Sequence, residues 1–250
     1  MKKNFEMGTD TSGVTGELSK SGAYHMEITG QYIAEHLNRR EVQRYLGYRG
    51  ITEIDDATSK LIEECIDELG REITPRYVTR EFPLTRDTDG VSFAGMYVKE
   101  GQLTRNLTGC ERVILFAATV GVAPDVQVRR ASLRSMMKTA VIQAASAAMV
   151  EELCDIVNTG LRDEAMERGY YVRPRFSPGY GDFPLERQVD FFRELSITRE
   201  IGVSLSDSLI MTPSKSVTAL IGLSRTDRKC LIEGCENCSM SETCEFSRAR

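Results

Sequence analysis

Apolar residues recur at helical spacing in one clear stretch near the start of the chain. Between Ala57 and Leu69 they lie three and four residues apart, which places them on one face of a helix. Asp55 or Asp56 can accept hydrogen bonds from the first turn, and Gly70 can end the helix. The pattern predicts a helix with one buried face, made by Ala57, Leu61, Ile62, Cys65, Ile66 and Leu69.

Strand-like patterns follow this helix. Residues 76–84 (RYVTREFPL) alternate between apolar and polar, and residues 90–98 (GVSFAGMYV) predict a further strand after a turn. Residues 112–121 (RVILFAATVG) form a continuous apolar run, typical of a strand that is covered on both faces. Val217–Leu223 predicts another strand. Strands mixed with long helices indicate an α+β (mixed α/β) fold, as a single domain with a tail.

A long helix is predicted from Ala131 to about Arg168, either continuous or broken near Asn158–Gly160. Apolar positions run almost all the way round it, so we expect it to lie deep. One apolar row leads onto Glu151 and Asp155, which are four residues apart and share a face. Either the row has turned to solvent there, or the carboxylates face a cleft and suit a cationic ligand or a metal. The row consists of Leu133, Met137, Ala140, Ala144 and Ala148.

A stiff segment, RPRFSPGYGDFP, spans Arg173 to Pro184 and holds three of the seven prolines in the chain. Proline fixes φ, whereas glycine admits positive φ and lets another group approach the main chain. Such a segment is neither a helix nor a central strand. It is either an ordered surface loop or a rigid support for its two arginines, Arg173 and Arg175.

Composition narrows the classes of function. The chain has 250 residues and a formal net charge of −5, which argues against nucleic acid as the main partner. Its longest apolar run is shorter than the ~20 residues that a membrane span requires. The first 22 residues are polar and aperiodic, and no secretory signal is visible, so we expect a mobile arm and a cytoplasmic protein.

Four cysteines stand close together at the C-terminal end, in a C-x4-C-x2-C-x5-C array with Gly234 inside it. Thiolates this dense are typical of a soft metal site. Three interpretations stay open: an iron–sulfur cluster, which the spacing favours, a four-cysteine zinc site, or free redox thiols. Cys110 and Cys154 lie elsewhere and are expected to be structural. The array comprises Cys230, Cys235, Cys238 and Cys244.

Two blocks together resemble the activation domain of cobalamin-dependent methionine synthase, the module that binds S-adenosylmethionine. The first is RFSPGYGDFP, with the form Arg-x-x-x-Gly-Tyr, and the second is MTPSKSVTALIGLS, with the form Met-x-Pro-x-x-Ser-Val. The resemblance covers roughly residues 26–225, as a stand-alone module. It implies a curved, largely antiparallel sheet flanked by long helices, with a flexible arm (1–25) before it and a metal-binding tail (226–250) after it.

The resemblance also implies which residues hold the ligand. In that family the motif arginine grips the methionine carboxylate, and the tyrosine lies in the same site. Carried over, these are Arg175 and Tyr180, with Pro178 and Gly179 close by, although Arg173 is a second candidate arginine. The family's acidic helix residue near the cationic end of the ligand matches Glu151, with Asp155 behind it, and Glu152 is an alternative.

The implied function is reactivation of a corrinoid protein. The chain would hold S-adenosylmethionine and support reductive methylation of cob(II)alamin in a partner that carries the cobalamin. That partner would be a methionine synthase lacking its own activation domain, or another corrinoid methyltransferase, with a flavodoxin- or ferredoxin-like electron donor. Whether the chain counts as an enzyme stays open.

Two departures from the family pattern bear on this function: the cysteine tail, and Gly181–Pro184 in place of the usual Pro-x-Cys-Pro. The alternative function is an iron–sulfur or zinc redox or interaction protein whose tail carries the activity.

Overall fold

The computed structural model describes residues 14–18, 24–48 and 54–227. They form two compact units. The first takes in the described residues of Met1–Arg76, Ala118–Asn158 and Thr212–Val217. The second takes in those of Tyr77–Ala117, Thr159–Met211 and Thr218–Arg250. The domain limits predicted from the sequence stay a prediction.

The elements alternate irregularly between strands and helices. The order begins with β1 (Val14–Leu18), β2 (Tyr24–Ile28), α1 (Gly30–His36), α2 (Arg39–Tyr45), α3 (Asp56–Glu72), β3 (Arg76–Pro83), β4 (Thr85–Arg86), β5 (Gly90–Phe93), β6 (Met96–Lys99), α4 (Gln102–Asn106) and β7 (Cys110–Thr119). It continues with α5 (Ala123–Ser132), α6 (Met136–Glu167), β8 (Tyr171–Val172), a one-turn 3-10 helix (Leu185–Arg187), α7 (Gln188–Leu195), α8 (Ile197–Ile201), β9 (Ser204–Leu205), β10 (Met211–Thr212) and β11 (Ser216–Ser224).

The α+β class is confirmed. Strands β3, β7, β11 and β8 form a four-stranded sheet in that order, and β4, β5 and β6 form a three-stranded one. The registered pairs, including β5 with β6, are antiparallel. Strand β1 pairs with β2 although it lies inside the arm predicted to be mobile, and the mobility of that arm stays a prediction. Among the described residues, no helix is both long and apolar enough to cross a bilayer.

Helix α3 confirms the predicted cap and most of the predicted stripe. Asp55 accepts a hydrogen bond from the Thr58 amide at 2.9 Å, and Ile62, Cys65, Ile66 and Leu69 are buried. Burial raises the pKa of the Cys65 thiol to about 11. The predicted end at Gly70 is wrong, since the helix continues to Glu72. A Cβ on Gly70 would lie 2.8 Å from the Ala34 side chain, so this glycine permits close packing of α1 on α3.

The helix predicted from Ala131 is also wrong at its start. Helix α5 ends at Ser132 and α6 begins at Met136, because the Ser135 hydroxyl accepts a hydrogen bond from the Lys138 amide and caps a new helix. Helix α6 then runs through Asn158–Gly160 without a break. Its middle is buried as expected, whereas Leu133 before it is 84% exposed.

The second unit has one continuous apolar core. The run predicted to be a covered strand is β7, and it contributes Val113, Leu115 and Ala117 to this core. Residues 90–98 form two strands rather than the single strand predicted, because Ala94 and Gly95 both have positive φ and make a hairpin turn. Phe176, Phe183 and Phe191 also belong to the core.

A charged network ties three segments of the second unit together. The Glu81 carboxylate accepts hydrogen bonds from the Arg112 guanidinium and from both terminal nitrogens of Arg168, the latter at 2.7 and 2.8 Å. Burial opposes ionisation of Glu81, yet the hydrogen bonds from Arg168 and Arg112 lower its pKa on balance. The carboxylate is therefore charged in the folded protein.

We predict that Glu81→Gln lowers the free energy of unfolding by about 1–2 kcal/mol at pH 7, because two arginines lose a charged partner. Because the pKa of Glu81 is lower in the folded than in the unfolded protein, its ionised carboxylate stabilises the fold at pH values above the unfolded-state pKa. This stabilisation is lost as the pH falls through the folded-state pKa. The difference between wild type and variant should therefore narrow below about pH 4 in urea titrations. Glu167→Gln, at an exposed position of α6, is the control. A difference that stays constant with pH would contradict the prediction.

Candidate functional site

The Arg173–Pro184 segment begins with an irregular pairing to β11, in which it has one more residue than the strand opposite. Strand β8 pairs Val172 with Leu223, and farther along Phe176 and Leu220 exchange two main-chain hydrogen bonds at 2.9 and 2.8 Å. The path from Val172 to Phe176 takes four steps, whereas the path from Leu223 to Leu220 takes three. The segment therefore contains a β-bulge, a feature that redirects side chains and is over-represented next to active sites.

Arg173 is used to hold this bulge in place. Its side chain is buried, its amide donates to the Gly222 carbonyl at 2.8 Å, and its guanidinium donates to the Thr108 carbonyl at 3.2 Å. A Cβ on Gly222 would lie 2.7 Å from the Cys110 sulfur and 3.2 Å from Cγ of Arg173. Of the two arginines that the sequence offered, Arg173 therefore has a structural role. Arg175, which is half-buried, remains the candidate for ligand binding.

The turn after Arg175 presents a tyrosine at its tip. The Gly179 amide donates to the Phe183 carbonyl at 2.8 Å, and the Phe183 amide donates to the Tyr180 carbonyl at 3.0 Å. Gly179 and Gly181 have φ of 90° and 56°, conformations that favour glycine. Pro178 is buried, whereas Tyr180 is 68% exposed. Arg175, Pro178, Gly179 and Tyr180 thus lie on one short, ordered stretch.

Asp182 fastens the turn to helix α4, a role that the sequence analysis missed. Its carboxylate accepts hydrogen bonds from the amides of Gln102 at 2.6 Å and Leu103 at 3.2 Å. A Cβ on Gly101 would overlap this carboxylate, and one on Gly181 would overlap the Gln102 side chain. The only signal in the sequence was the departure from the family pattern after Tyr180. The closing end of the turn is therefore fixed by charge-assisted hydrogen bonds.

Aromatic packing anchors the same turn from below. The rings of Phe176 and Phe183 meet edge-on with centroids 6.5 Å apart, and Phe183 and Phe191 lie 6.2 Å apart. Phe183 and Phe191 are almost completely buried. The turn is held at both of its ends, which is the preorganisation that a binding segment requires.

The predicted carboxylates lie on α6 in the first unit. Glu151 is half-buried and Asp155 is exposed, so the apolar row turns to solvent between them. Burial, and next the negative charge of Glu151, raise the pKa of Tyr45 on α2. The pKa of Glu152 is also raised, chiefly by burial and then by the charge of Asp155. The first unit therefore presents three carboxylates within one turn and a half of helix.

Residues of the second sequence block stabilise a turn in the first unit. The Ser216 hydroxyl donates to the Thr119 hydroxyl at 2.9 Å, and it also lies 2.8 Å from the Pro213 carbonyl. Lys215 donates to the Gln143 side chain at 2.8 Å. Burial lowers the Lys215 pKa, and the charge of Asp125 only partly opposes that effect. These contacts account for the serine of the motif as a structural residue.

The four cysteines predicted to bind metal, Cys230, Cys235, Cys238 and Cys244, lie outside the described residues. Within residues 14–18, 24–48 and 54–227, no group of three or more His, Cys, Asp or Glu is placed to hold a metal. Cys110 and Cys154, which are expected to be structural, are buried thiols.

Comparison with solved structures shows what this fold resembles. The chain superimposes on the crystal structure of the MetH reactivation domain bound to AdoHcy with a TM-score of 0.63. The match covers 87% of this chain and 80% of the other at 17% sequence identity, so the likeness is one of fold. The fold expected from the sequence resemblance is confirmed. No protein-family model and no curated protein matches the sequence.

We predict that Asp182→Ala loosens the turn without unfolding the second unit, because the two α4 amides lose their acceptor. Amide hydrogens of residues 177–183 should exchange about tenfold faster in hydrogen-exchange mass spectrometry, because the free energy of local opening falls by about 1–2 kcal/mol. Asp207→Ala, at an exposed turn, is the control. Unchanged exchange in the Asp182 variant would show that the carboxylate does not hold the turn.

Proposed function

We propose that this chain binds S-adenosylmethionine and supports reductive methylation of cob(II)alamin held by a partner protein. The observation that carries the proposal is the bulged segment, in which Arg175 and the Gly179–Tyr180 turn are presented together on an ordered backbone. It is supported by the fold likeness to a reactivation domain that was crystallised with AdoHcy. AdoHcy is the product left when S-adenosylmethionine gives up its methyl group.

Arg175 would hold the carboxylate of the ligand. A planar guanidinium offers paired donors in the geometry of a carboxylate, and half-burial strengthens such a bond relative to open water. The buried guanidinium of Arg173 donates to the Thr108 carbonyl, whereas Arg175 keeps the spacing of the motif to Gly179 and Tyr180. Gly179 has a positive φ, which favours glycine, and a Cβ there would lie 3.2 Å from Cδ1 of Leu185, so the turn packs closely on that side chain.

Glu151, with Asp155 behind it, would favour the sulfonium. A sulfonium cannot donate an ordinary hydrogen bond, so charge and apolar contact must hold it. At ~4 Å a carboxylate contributes about 1 kcal/mol in bulk water and about 4 kcal/mol at an effective dielectric of 20. The half-buried state of Glu151 places it between these limits.

The partner would be a cobalamin-dependent methionine synthase without its own activation domain, or another corrinoid methyltransferase. The corrinoid, together with one electron from a flavodoxin- or ferredoxin-like donor, supplies the chemistry. This chain would contribute positioning: its residues bind and orient S-adenosylmethionine, so that the methyl group is presented to the partner. No general base is required of it. Cys230, Cys235, Cys238 and Cys244 remain the proposed site for an iron–sulfur cluster or zinc.

We predict that wild-type protein binds S-adenosylmethionine in calorimetric titration and that Arg175→Ala weakens binding by about tenfold to a hundredfold. The reason is the loss of a charge-assisted carboxylate contact. Arg199→Ala removes an exposed guanidinium of the same unit and should bind like wild type. Equal affinity of the Arg175 and Arg199 variants would contradict the proposed role of Arg175.

We further predict that Glu151→Gln changes the affinity for S-adenosylmethionine but not the affinity for AdoHcy. Affinity for S-adenosylmethionine should fall roughly tenfold, whereas affinity for AdoHcy, which carries no sulfonium charge, should stay near that of wild type. Glu152→Gln is the matched control on the next position of α6. If the ratio of the two affinities changes only in the Glu152 variant, Glu152 is the acidic residue of the site. If it changes in neither variant, no α6 carboxylate at these positions recognises the sulfonium.

A further inference from the structure

An exposed apolar surface lies on the first unit where α5 turns into α6. Leu133 is 84% exposed and Met136 is 77% exposed, and three more large apolar side chains of residues 122–137 are exposed with them. Single exposed apolar residues are ordinary, whereas a cluster of them marks an interaction surface or an aggregation risk. The remaining three are Val122, Val126 and Met137.

This corner is ordered, so its exposed side chains are held out by the fold. The amides of Arg134 and Ser135 both donate to the Ala131 carbonyl, at 2.9 and 2.8 Å. The Ser135 hydroxyl then caps α6 through the Lys138 amide at 3.2 Å. Val122 precedes the first residue of α5, Val126 lies on it and Leu133 follows its last residue. Both flanking residues have helical backbone angles, and the spacings of four and seven residues place the three side chains on one side.

Arginines surround the apolar residues. Arg129, Arg130 and Arg134 are exposed, and none of them forms an ion pair within the part of the chain that the structure describes. Lys138 is already paired with Glu68 at 2.8 Å. Residues 122–138 hold four cations and one carboxylate, in a chain whose formal net charge is −5. The surface is therefore basic on an acidic protein.

The nearby carboxylates are engaged elsewhere. Asp125 accepts hydrogen bonds from the Ser214 hydroxyl and from the Ser214 amide, the latter at 2.9 Å. Glu72 accepts one from the Gln127 side chain at 3.0 Å. Asp125 and Glu72 therefore bond to neutral groups and form no ion pair with the three arginines. The positive charge of these arginines can attract a partner.

We propose that this surface, which we name the α5–α6 corner (Val122, Val126, Arg129, Arg130, Leu133, Arg134, Met136 and Met137), docks an acidic protein with an apolar centre. Arginine and methionine are both enriched at protein interfaces, and methionine adapts its shape to a partner. A ring of positive charge around an apolar centre suits a partner with the opposite charge pattern. Residues 122–138 contain no aromatic side chain, which disfavours nucleic-acid stacking and interfacial insertion into lipid.

The test uses a fluorescent amphipathic helical peptide with leucine on one face and glutamate on the other, measured by fluorescence anisotropy against the full chain. We expect saturable binding that is weaker at about 300 mM than at about 50 mM salt. The triple variant Arg129→Glu, Arg130→Glu, Arg134→Glu should lose about tenfold or more in affinity. The double variant Leu133→Ser, Met136→Ser should also bind more weakly, because the apolar centre is removed.

A charge-matched control separates position from net charge. Lys99→Glu, Arg162→Glu, Arg199→Glu reverses three exposed cations elsewhere and should bind the peptide much like wild type. All replaced residues are exposed, so each variant should melt near the wild-type temperature. The corner variants should also bind S-adenosylmethionine like wild type, so this inference and the proposed function fail independently.

Four results would overturn the inference. The first is equal peptide affinity in the wild type and the corner variants. The second is equal binding of a lysine-and-leucine peptide. The third is a wild-type dimer in sedimentation that the corner variants dissociate, which would make the occupant a second copy of this chain. The fourth is binding of wild type to phosphatidylglycerol vesicles but not to the acidic peptide, which would indicate a lipid surface.

Discussion

The pairing of residues 171–176 with β11 is the constraint on which the candidate site depends. Two regular antiparallel pairings, Val172 with Leu223 and Phe176 with Leu220, enclose one extra residue. Pro174 lies within that stretch and has no main-chain N–H that would be left without an acceptor. Arg173 fixes the bulge from inside through carbonyls of Gly222 and Thr108. Because hydrogen bonds to β11 hold the main chain on both sides of Arg175, the position of its Cα is fixed. The same pairing sets where the Gly179–Tyr180 turn begins.

Several features could be read from the sequence because they depend on local chemistry. Helix α3 shows its cap at Asp55 and its buried stripe, and the apolar run of β7 identifies a covered strand. The split between α5 and α6 was missed because one hydroxyl, that of Ser135, decides it inside a helix-favouring run. The bulge and the bond from Asp182 to α4 could not be predicted, since they join residues far apart in the chain.

The polar side chains discussed above are of two kinds: some form hydrogen bonds within the fold, and others are exposed to solvent. Arg173, Asp182 and Ser216 bind main-chain or neighbouring hydroxyl groups and satisfy turns. Tyr180 and the arginines of the α5–α6 corner are exposed, although each is carried by an ordered backbone. Ordered but exposed groups are the ones that can meet a ligand or partner without a large entropic cost. This division supports the two proposals, that the chain binds S-adenosylmethionine and that the α5–α6 corner docks a protein.

A crystal structure of the full chain grown with AdoHcy would show whether the ligand binds at the Arg173–Pro184 segment. We expect density for the ligand beside the Arg173–Pro184 segment, with its carboxylate within hydrogen-bonding distance of the Arg175 guanidinium. Tyr180 should lie in the same site. A ligand bound elsewhere, or no bound ligand at saturating concentration, would contradict the claim that the bulged segment forms the binding site.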